Sequence, residues 1–464
     1  MQRGNSAASR DIAFHLHPYS NHRRLEREGE LMVTKGKGVR VWDEAGKEYL
    51  EGCAGLWCTS LGFGEERLIE AAAAQMRKLS YYHSFHHKSH EAVAELAERL
   101  VSIMPVKMAK AFFNNSGSEA NDTAVKIVWY FNNARGRPRK KKIIARLKSY
   151  HGVTVASASL SGLVNNHRSF DLPIANIRHA DCPHHWRYAH PGESEEDFST
   201  RLAENLDLMI QREDPDTVAA FIAEPVMGAG GVITPPATYF EKIQQVLKKY
   251  DVLLIADEVI TGFGRTGKMF ATETYGLKPD IITVAKALSS AYLPISATVV
   301  SDAVYQALAD ESDKIGVFAH GYTYSGHPVC CAVALETLKI YEERDIIGHV
   351  RKVAPRLQNG LRERFAGHPL VGEVRGVGLV AAIELVRDKA SKASFDPKLG
   401  VGNMLTADIN KHGLILRQIG DAQAFSPPLV ITETEIDEML DRFGKALDDT
   451  AARLAARQPA SLRA

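Results

Sequence analysis

Lys286 closes the apolar run Ile281-Ile-Thr-Val-Ala-Lys286, and upstream Asp257 closes a second one, Val252-Leu-Leu-Ile-Ala-Asp257. An amine and a carboxylate on the ends of neighbouring buried strands suit one chemistry well. The amine condenses with an aldehyde, and the acid keeps a pyridine nitrogen protonated. Breaking a bond at the carbon next to a substrate amine leaves an electron pair, which a protonated ring conjugated to the imine takes up. A buried carboxylate facing the ring nitrogen favours the charged ring by opposite-charge attraction. Pyridoxal 5'-phosphate (PLP) is the cofactor with these parts. Lys286 is expected to hold it between turnovers and then to carry the proton between the substrate carbon and the C4' carbon.

A cofactor with a phosphate needs an anion site, and Ser116-Gly117-Ser118-Glu119 offers one. Residues 109–113 read as a short strand, while Ala120, Ala124, Ile127, Val128 and Phe131 recur at helical spacing. The Ser116 to Glu119 interval fits a capping box. A strand turning through Ser-Gly-Ser into a helix N-terminus aims free N–H groups and two hydroxyls at one spot. Ser149-Tyr150-His151-Gly152 follows another strand candidate, so the Tyr150 ring is placed to stack on one pyridine face. Val259, two residues past Asp257, is placed to cover the other.

With these residues in place, the chain resembles the class III, or omega, aminotransferases of the fold-type-I PLP enzymes. The resemblance runs from His15-Leu-His-Pro-Tyr19 to Ser426-Pro-Pro-Leu-Val-Ile431. Between them lie, in that family's order, Gly55-Leu-Trp-Cys58, Asn115-Ser-Gly-Ser-Glu-Ala-Asn-Asp122, Tyr150-His-Gly152, Phe221-Ile-Ala-Glu-Pro225 and Gly228-Ala-Gly-Gly231. Ala256-Asp-Glu-Val259, Gly262-Phe-Gly-Arg-Thr-Gly267, Ala285-Lys286 and His320-Gly-Tyr-Thr-Tyr-Ser-Gly-His-Pro328 complete the set. The resemblance implies that Lys286 is the Schiff-base lysine, Asp257 the pyridinium partner, and Tyr150 and Val259 the two ring faces. It also implies a phosphate site at Ser116, Gly117 and Ser118, His151 beside the cofactor, and Glu224 in the network at the ring's hydroxyl side. Thr323 would reach the phosphate from a neighbouring subunit, giving a homodimer with shared sites, or a tetramer built from such dimers.

For substrate, the same comparison places Arg417, in Gly413-Leu-Ile-Leu-Arg417-Gln-Ile-Gly-Asp421, where an arginine binds the acceptor's carboxylate and swings away from donors that lack one. A guanidinium fork matches a carboxylate with two parallel hydrogen bonds. Tyr19, Leu56, Trp57, Phe85, Tyr150 and Ala229, with Tyr322 from the partner subunit, would form the rest of the pocket. The implied reaction moves an amino group from a primary amine, diamine or omega-amino acid to pyruvate or a similar 2-oxo acid, giving L-alanine and an aldehyde or ketone. Two departures stand out. Met227 replaces an amide that relatives carry, which would put a thioether in the Glu224 network. Ala287 and Ala291 stand where relatives often have glycine, which would narrow the space around the reacting amine.

With 464 residues of which 45% are hydrophobic, the chain buries a large core and is expected to form two domains. A net charge of +1 argues against nucleic acid or a membrane surface as the main partner. No apolar stretch approaches the roughly 18 residues of a membrane span. The start, Met1-Gln-Arg-Gly-Asn-Ser, leads into no apolar segment of a secretion signal. Cysteines at 53, 58, 182, 330 and 331 form no CxxC pair, which with the rest indicates a reduced, cytoplasmic protein. The histidines His83, His86, His87 and His90, and His184 and His185 beside Cys182 in a polar loop, lack a matching ligand set, so no metal is expected. The basic run from Arg135 to Lys142 reads as a solvated connection.

Strand candidates at 142–147, 218–224, 252–257, 281–285 and 296–300, separated by helical patterns, predict an α/β fold. Its mostly parallel sheet carries helices on both faces. A helix over 91–104 buries Val93, Leu96, Ala97, Leu100, Val101 and Met104. Residues 65–330 form the large PLP-binding domain. The segment 1–64, with a hairpin from Gly38 to Lys47, joins 331–464 in a smaller α+β domain, and the last dozen residues are expected to fray. Two alternatives remain open: a decarboxylase, racemase or aminomutase on the same fold, and a nucleotide-binding dehydrogenase suggested by the G-x-G-x-x-G spacing of Gly262, Gly264 and Gly267.

Overall fold

The computed structural model describes residues 6–457, so the readings made on residues 1–5 and on the tail beyond 457 lie outside it. Three short strands come first: β1 (Val33–Lys37), β2 (Arg40–Asp43) and β3 (Glu48–Glu51) pair antiparallel in succession. The expected hairpin over 38–47 is thus two turns, one at Gly38 between β1 and β2 and one at Gly46 between β2 and β3.

The central sheet holds β4 (Lys110–Asn114), β5 (Lys142–Arg146), β6 (Ile177–Ala180), β7 (Val218–Ala223), β8 (Leu253–Asp257), β9 (Ile281–Val284) and β10 (Ser296–Val300). Their order is β4-β10-β9-β8-β7-β5-β6. All neighbours from β9 to β6 are parallel, and β10 alone runs antiparallel to both of its partners. Strands buried on both faces lack polar alternation, and β7, β8, β9 and β10 are buried at every position. Alternate residues feed separate cores. Ile143, Ile222, Leu253, Ile255 and Ile281 meet the helix Gly117–Ala134, while Ile144, Phe221, Leu254, Ala256, Ile282 and Val284 pack into the larger core on the other face.

A third sheet contains β11 (Val371–Val377), β12 (Val380–Leu385), β14 (Arg417–Ile419) and β15 (Ala422–Phe425), in the order β11-β12-β15-β14. Between them in sequence, β13 (Leu414–Ile415) pairs parallel with β3, so the two ends of the chain share one sheet. The helix Glu433–Arg457 continues into the last dozen residues expected to fray; the remainder of that stretch is outside the described residues.

Several boundaries differ from expectation for local reasons. The helix expected over 91–104 spans Glu91–Ser102, since Pro105 disfavours helical backbone just before it. His86 and His87 have φ of 51° and 62°, so the histidine group lies on an irregular turn and His90 serves as the N-cap of that helix. The basic run is paired more than solvated: Lys140 is buried and donates to the Tyr250 carbonyl at 2.8 Å, and Lys142 lies 2.9 Å from Glu213. His184 is likewise buried rather than placed in a polar loop, 2.7 Å from a Glu373 carboxylate oxygen.

After β9 the chain makes a short 3-10 turn, Lys286–Ser289, and Ser290 and Ala291 follow at φ of 50° and 61°. Ala287 packs into the large core, while Ala291 is exposed and its N–H donates to the Lys286 carbonyl at 3.2 Å. A Cβ in the left-handed region costs on the order of 1 kcal/mol, which glycine escapes. Ala291→Gly should raise the thermal midpoint by about a degree. An unchanged or lower midpoint would mean that the freedom glycine adds to the unfolded chain outweighs the relieved crowding.

Candidate active site

Chain direction sets the site. β5, β7, β8 and β9 are parallel, so the residues that follow each of them emerge on one edge of the sheet, where open α/β sheets bind ligands. Tyr150 and His151 follow β5, Glu224 follows β7, Asp257 ends β8, and Lys286 follows β9. With Gly117, Asn121, Gly152, Val259 and Ile260 they line one narrow cleft.

Asp257 is 3% exposed and held from several sides. Its Oδ2 accepts from Asn121 Nδ2 at 2.8 Å and lies 2.7 Å from His151 Nδ1, while Oδ1 accepts from the Val259 N–H at 3.1 Å. Asn121 is fixed in turn by Thr283, whose hydroxyl donates to Asn121 Oδ1 at 2.9 Å. Asn121 and Thr283 were not singled out in the sequence. The signal was there in Asn121, a polar residue on the buried side of the helix beside Ala120 and Ala124.

Lys286 has φ of 49°, a left-handed backbone for a residue with a Cβ, of the sort found at sites whose surroundings over-determine them. Desolvation pushes its amine below the usual lysine range, only partly opposed by Asp257. Glu224, buried at 3% exposure, accepts from the Tyr150 N–H at 2.9 Å and from the Gly228 N–H at 2.9 Å. Burial raises its carboxyl above the ordinary range. Met227 stays out of this network, packing with Cys182 and Ile233, which corrects the placement read from the sequence.

Ser116 caps the helix, its Oγ accepting from the Glu119 N–H at 3.2 Å. Glu119 closes only half of the expected box, because its carboxylate accepts at 2.6 Å from the Asn115 N–H. Ser118 Oγ accepts from the Val153 N–H at 3.0 Å, leaving its proton to donate. A Cβ on Gly117 would stand 2.9 Å from Val259 Cγ1, so glycine lets that side chain close over the helix N-terminus. The parts fit PLP. An amine and a carboxylate face one narrow cleft, a glycine leaves room at a helix N-terminus, and the buried His151 Nε2 has no hydrogen-bond partner among the described residues.

The residues expected to bind substrate divide into two groups. Trp57 is buried and packs with Ile260 and against Gly228, where any Cβ would overlap its ring. The Tyr19 hydroxyl pairs with that of Tyr150, Leu56 is 60% exposed, Ala229 is half-buried, and Arg417 is exposed with no ion pair among the described residues. Phe85, Tyr322 and Thr323 lie elsewhere. Phe85 packs on Gly321, Tyr322 Oη is 3.4 Å from the Glu119 carbonyl, and the Thr323 carbonyl accepts from Tyr81 Oη at 2.8 Å. Phe85 therefore sits against the loop expected to serve a partner.

Arg375 on β11 braces the glycine loop. Its Nε and Nη2 donate to the Gly231 carbonyl at 2.9 and 2.6 Å, and its Nη1 to Glu373 and Glu384 at 2.5 and 2.6 Å. His184, Glu373 and Glu384 lie close enough together to hold a metal ion, but Arg375 already occupies both carboxylates. Asp11, His15 and His17 form the other such group among the described residues. The G-x-G-x-x-G segment is followed by a helix of only four residues, Ala271–Thr274, too short for a dinucleotide-binding unit.

A family model described as aminotransferase class-III matches residues 23–447. Gamma aminobutyrate transaminase 3, chloroplastic, of Solanum lycopersicum is 56% identical over 425 residues, covering 91% of this chain and 82% of that protein. The omega transaminase from Pseudomonas jessenii in complex with PMP superposes with a TM-score of 0.96 at 52% identity, covering 98% of this chain and 100% of that one. A structure described as a transaminase with L-ala gives a TM-score of 0.90 at 55% identity, covering 91% of this chain and 100% of that one.

The lowered Lys286 amine has a consequence for the protein without cofactor. The unfolded chain binds the proton more tightly, so stability rises with pH up to the ordinary lysine value. Lys286→Met should melt above the wild-type apoprotein at neutral pH, by about 1.4 kcal/mol for each pH unit of depression. The gap should close as pH approaches about 10.5, and a gap independent of pH in calorimetry would contradict a desolvated amine.

Proposed function

The chain belongs to the class-III aminotransferases, whose cofactor is PLP, and on that premise we propose that it transfers an amino group from a primary amine, diamine or omega-amino acid to pyruvate or a similar 2-oxo acid. The products are L-alanine and an aldehyde or ketone. The observation that carries this reading is a desolvated Lys286 amine and a buried, fixed Asp257 carboxylate lining one cleft at the ends of adjacent parallel strands. Likeness to a gamma-aminobutyrate transaminase and to an omega transaminase supports a donor with a primary amine far from any carboxylate.

Each residue has a role in this proposal. PLP, when bound, supplies the electron sink for the pair released at the substrate carbon. Asp257 holds positive charge at the ring nitrogen, and Asn121 and His151 keep its carboxylate aimed. Lys286, losing little solvation when neutral, takes a proton from the substrate carbon and returns it on the cofactor side. Ser116, Gly117 and Ser118 would hold the phosphate at the helix N-terminus, and Tyr150, Val259, Glu224 and His151 would surround the ring. Arg417, which has no ion pair among the described residues, clamps the acceptor's carboxylate. Phe85, Tyr322 and Thr323, grouped on one exposed surface, complete the site of a second copy in a homodimer or a tetramer of dimers. Neither nucleic acid nor membrane is a partner in this reading; among the described residues no helix is long and apolar enough to cross a membrane. Five cysteines without a disulfide support a cytoplasmic location.

A donor panel of gamma-aminobutyrate, beta-alanine, putrescine, taurine and an arylalkyl amine, with pyruvate as acceptor, tests the reading through alanine formation. Carbon dioxide release without alanine would overturn it. Lys286→Ala should abolish steady turnover, and an active variant would remove the role given to that lysine. Arg417→Ala should slow the keto-acid half-reaction about tenfold to a hundredfold while leaving that of a simple amine nearly unchanged. Equal losses in both half-reactions would dismiss the arginine clamp.

A further inference from the structure

Leu56 and Trp57 stand on a turn with an unusual backbone. Ala54, Gly55 and Trp57 have φ of 47°, 66° and 65°, so two residues with a Cβ occupy the left-handed region within four positions. Such a conformation persists only where its surroundings over-determine it. The brace is Glu51, the last residue of β3, 6% exposed. One of its carboxylate oxygens accepts from the Cys53 N–H at 2.8 Å, and the Gly55 N–H is turned toward the same carboxylate. At the far end of the turn the Cys58 thiol donates to the Ala54 carbonyl at 3.5 Å, which also accepts from the Cys58 and Thr59 N–H groups. A row of inward-facing N–H groups of this kind forms an anion-binding hollow, and the chain fills it with its own side chain.

We propose that Glu51 is a positioning residue for the donor pocket: its carboxylate fixes the backbone from Cys53 to Cys58, and so sets how bulky a donor Leu56 and Trp57 admit. The inference rests on the transaminase reading above, which places those two side chains in the pocket. Structurally it follows from Trp57, whose ring packs with Ile260 and Gly228; Ile260 lines the cleft and the Gly228 N–H binds Glu224. Among the described residues no charged side chain pairs with Glu51. The groups facing it are the neutral thiols of Cys53 and Cys58, while Arg417 and Arg265 bear on Cys53. Burial accordingly pushes the Glu51 carboxyl up to about 7, so the charge in the hollow changes within the working range of pH.

The test uses the PLP-loaded enzyme as wild type, Glu51→Ala and Glu51→Gln, with amide hydrogen exchange of residues 52–60 by mass spectrometry beside donor kinetics. Glu51→Ala should exchange at least about tenfold faster across the turn. It should also raise KM for an arylalkyl amine by about tenfold, with kcat and the KM for beta-alanine little changed. Glu51→Gln keeps an acceptor oxygen and should protect the turn. Its aryl-to-beta-alanine preference should stay flat between about pH 6 and 8, where that of the wild type changes. Unchanged exchange in Glu51→Ala, or equal losses for both donors, would overturn the proposal. Should Glu51→Ala not fold, the glutamine variant decides, and a pH profile parallel to the wild type's counts against it. A wild-type protein that binds PLP and transfers no amino group from any donor refutes the transaminase reading instead, and the exchange rates then judge Glu51 alone.

Discussion

A carboxylate buried at the end of a central strand is costly to keep charged unless its neighbours are arranged for it. Asp257 meets that requirement with two side-chain partners and one backbone N–H, and much of the architecture follows from supplying them. Asn121 comes from the helix that packs across the sheet, His151 from the loop after β5, and Thr283 from the adjoining strand. Shifting any one of these elements would leave a polar group stranded in the core. The sheet's parallel order and the site's electrostatics thus specify each other.

Around this anchor the site works by contrast. Asp257 is stabilised by partners, whereas Lys286 is deprived of solvent and Glu224 is raised by burial. Two groups of opposite type are thereby both drawn toward neutrality. An amine and a carboxyl moved toward neutral pH from opposite sides are suited to proton transfer there.

Much of this was legible in the sequence. The continuous apolar runs that became β7, β8 and β9 gave both the sheet and the positions of Asp257 and Lys286, because a strand without a polar face has only one place to go. The cap at Ser116 was equally readable from its residue types. Less legible was anything that depends on distant packing. Met227 occurs in a motif with Glu224, yet its side chain turns to Cys182, and Phe85 packs on Gly321, far along the chain. His184 looked like part of a polar loop until Glu373, far along the chain, was placed beside it. Asn121 was concealed by an ordinary helical pattern, since periodicity marks which side is buried but not which strand will face it.

The grip of Arg375 on the carbonyl of Gly231 bears on how this pocket could change over time. The loop whose Gly228 N–H holds Glu224 is tied at Gly231 to the β11–β12 hairpin, so alterations in that hairpin reach a residue of the cleft without touching it. Selection for new amines therefore has a remote route open to it, in which the anchor of that loop is retuned and every residue that meets the ligand is left alone.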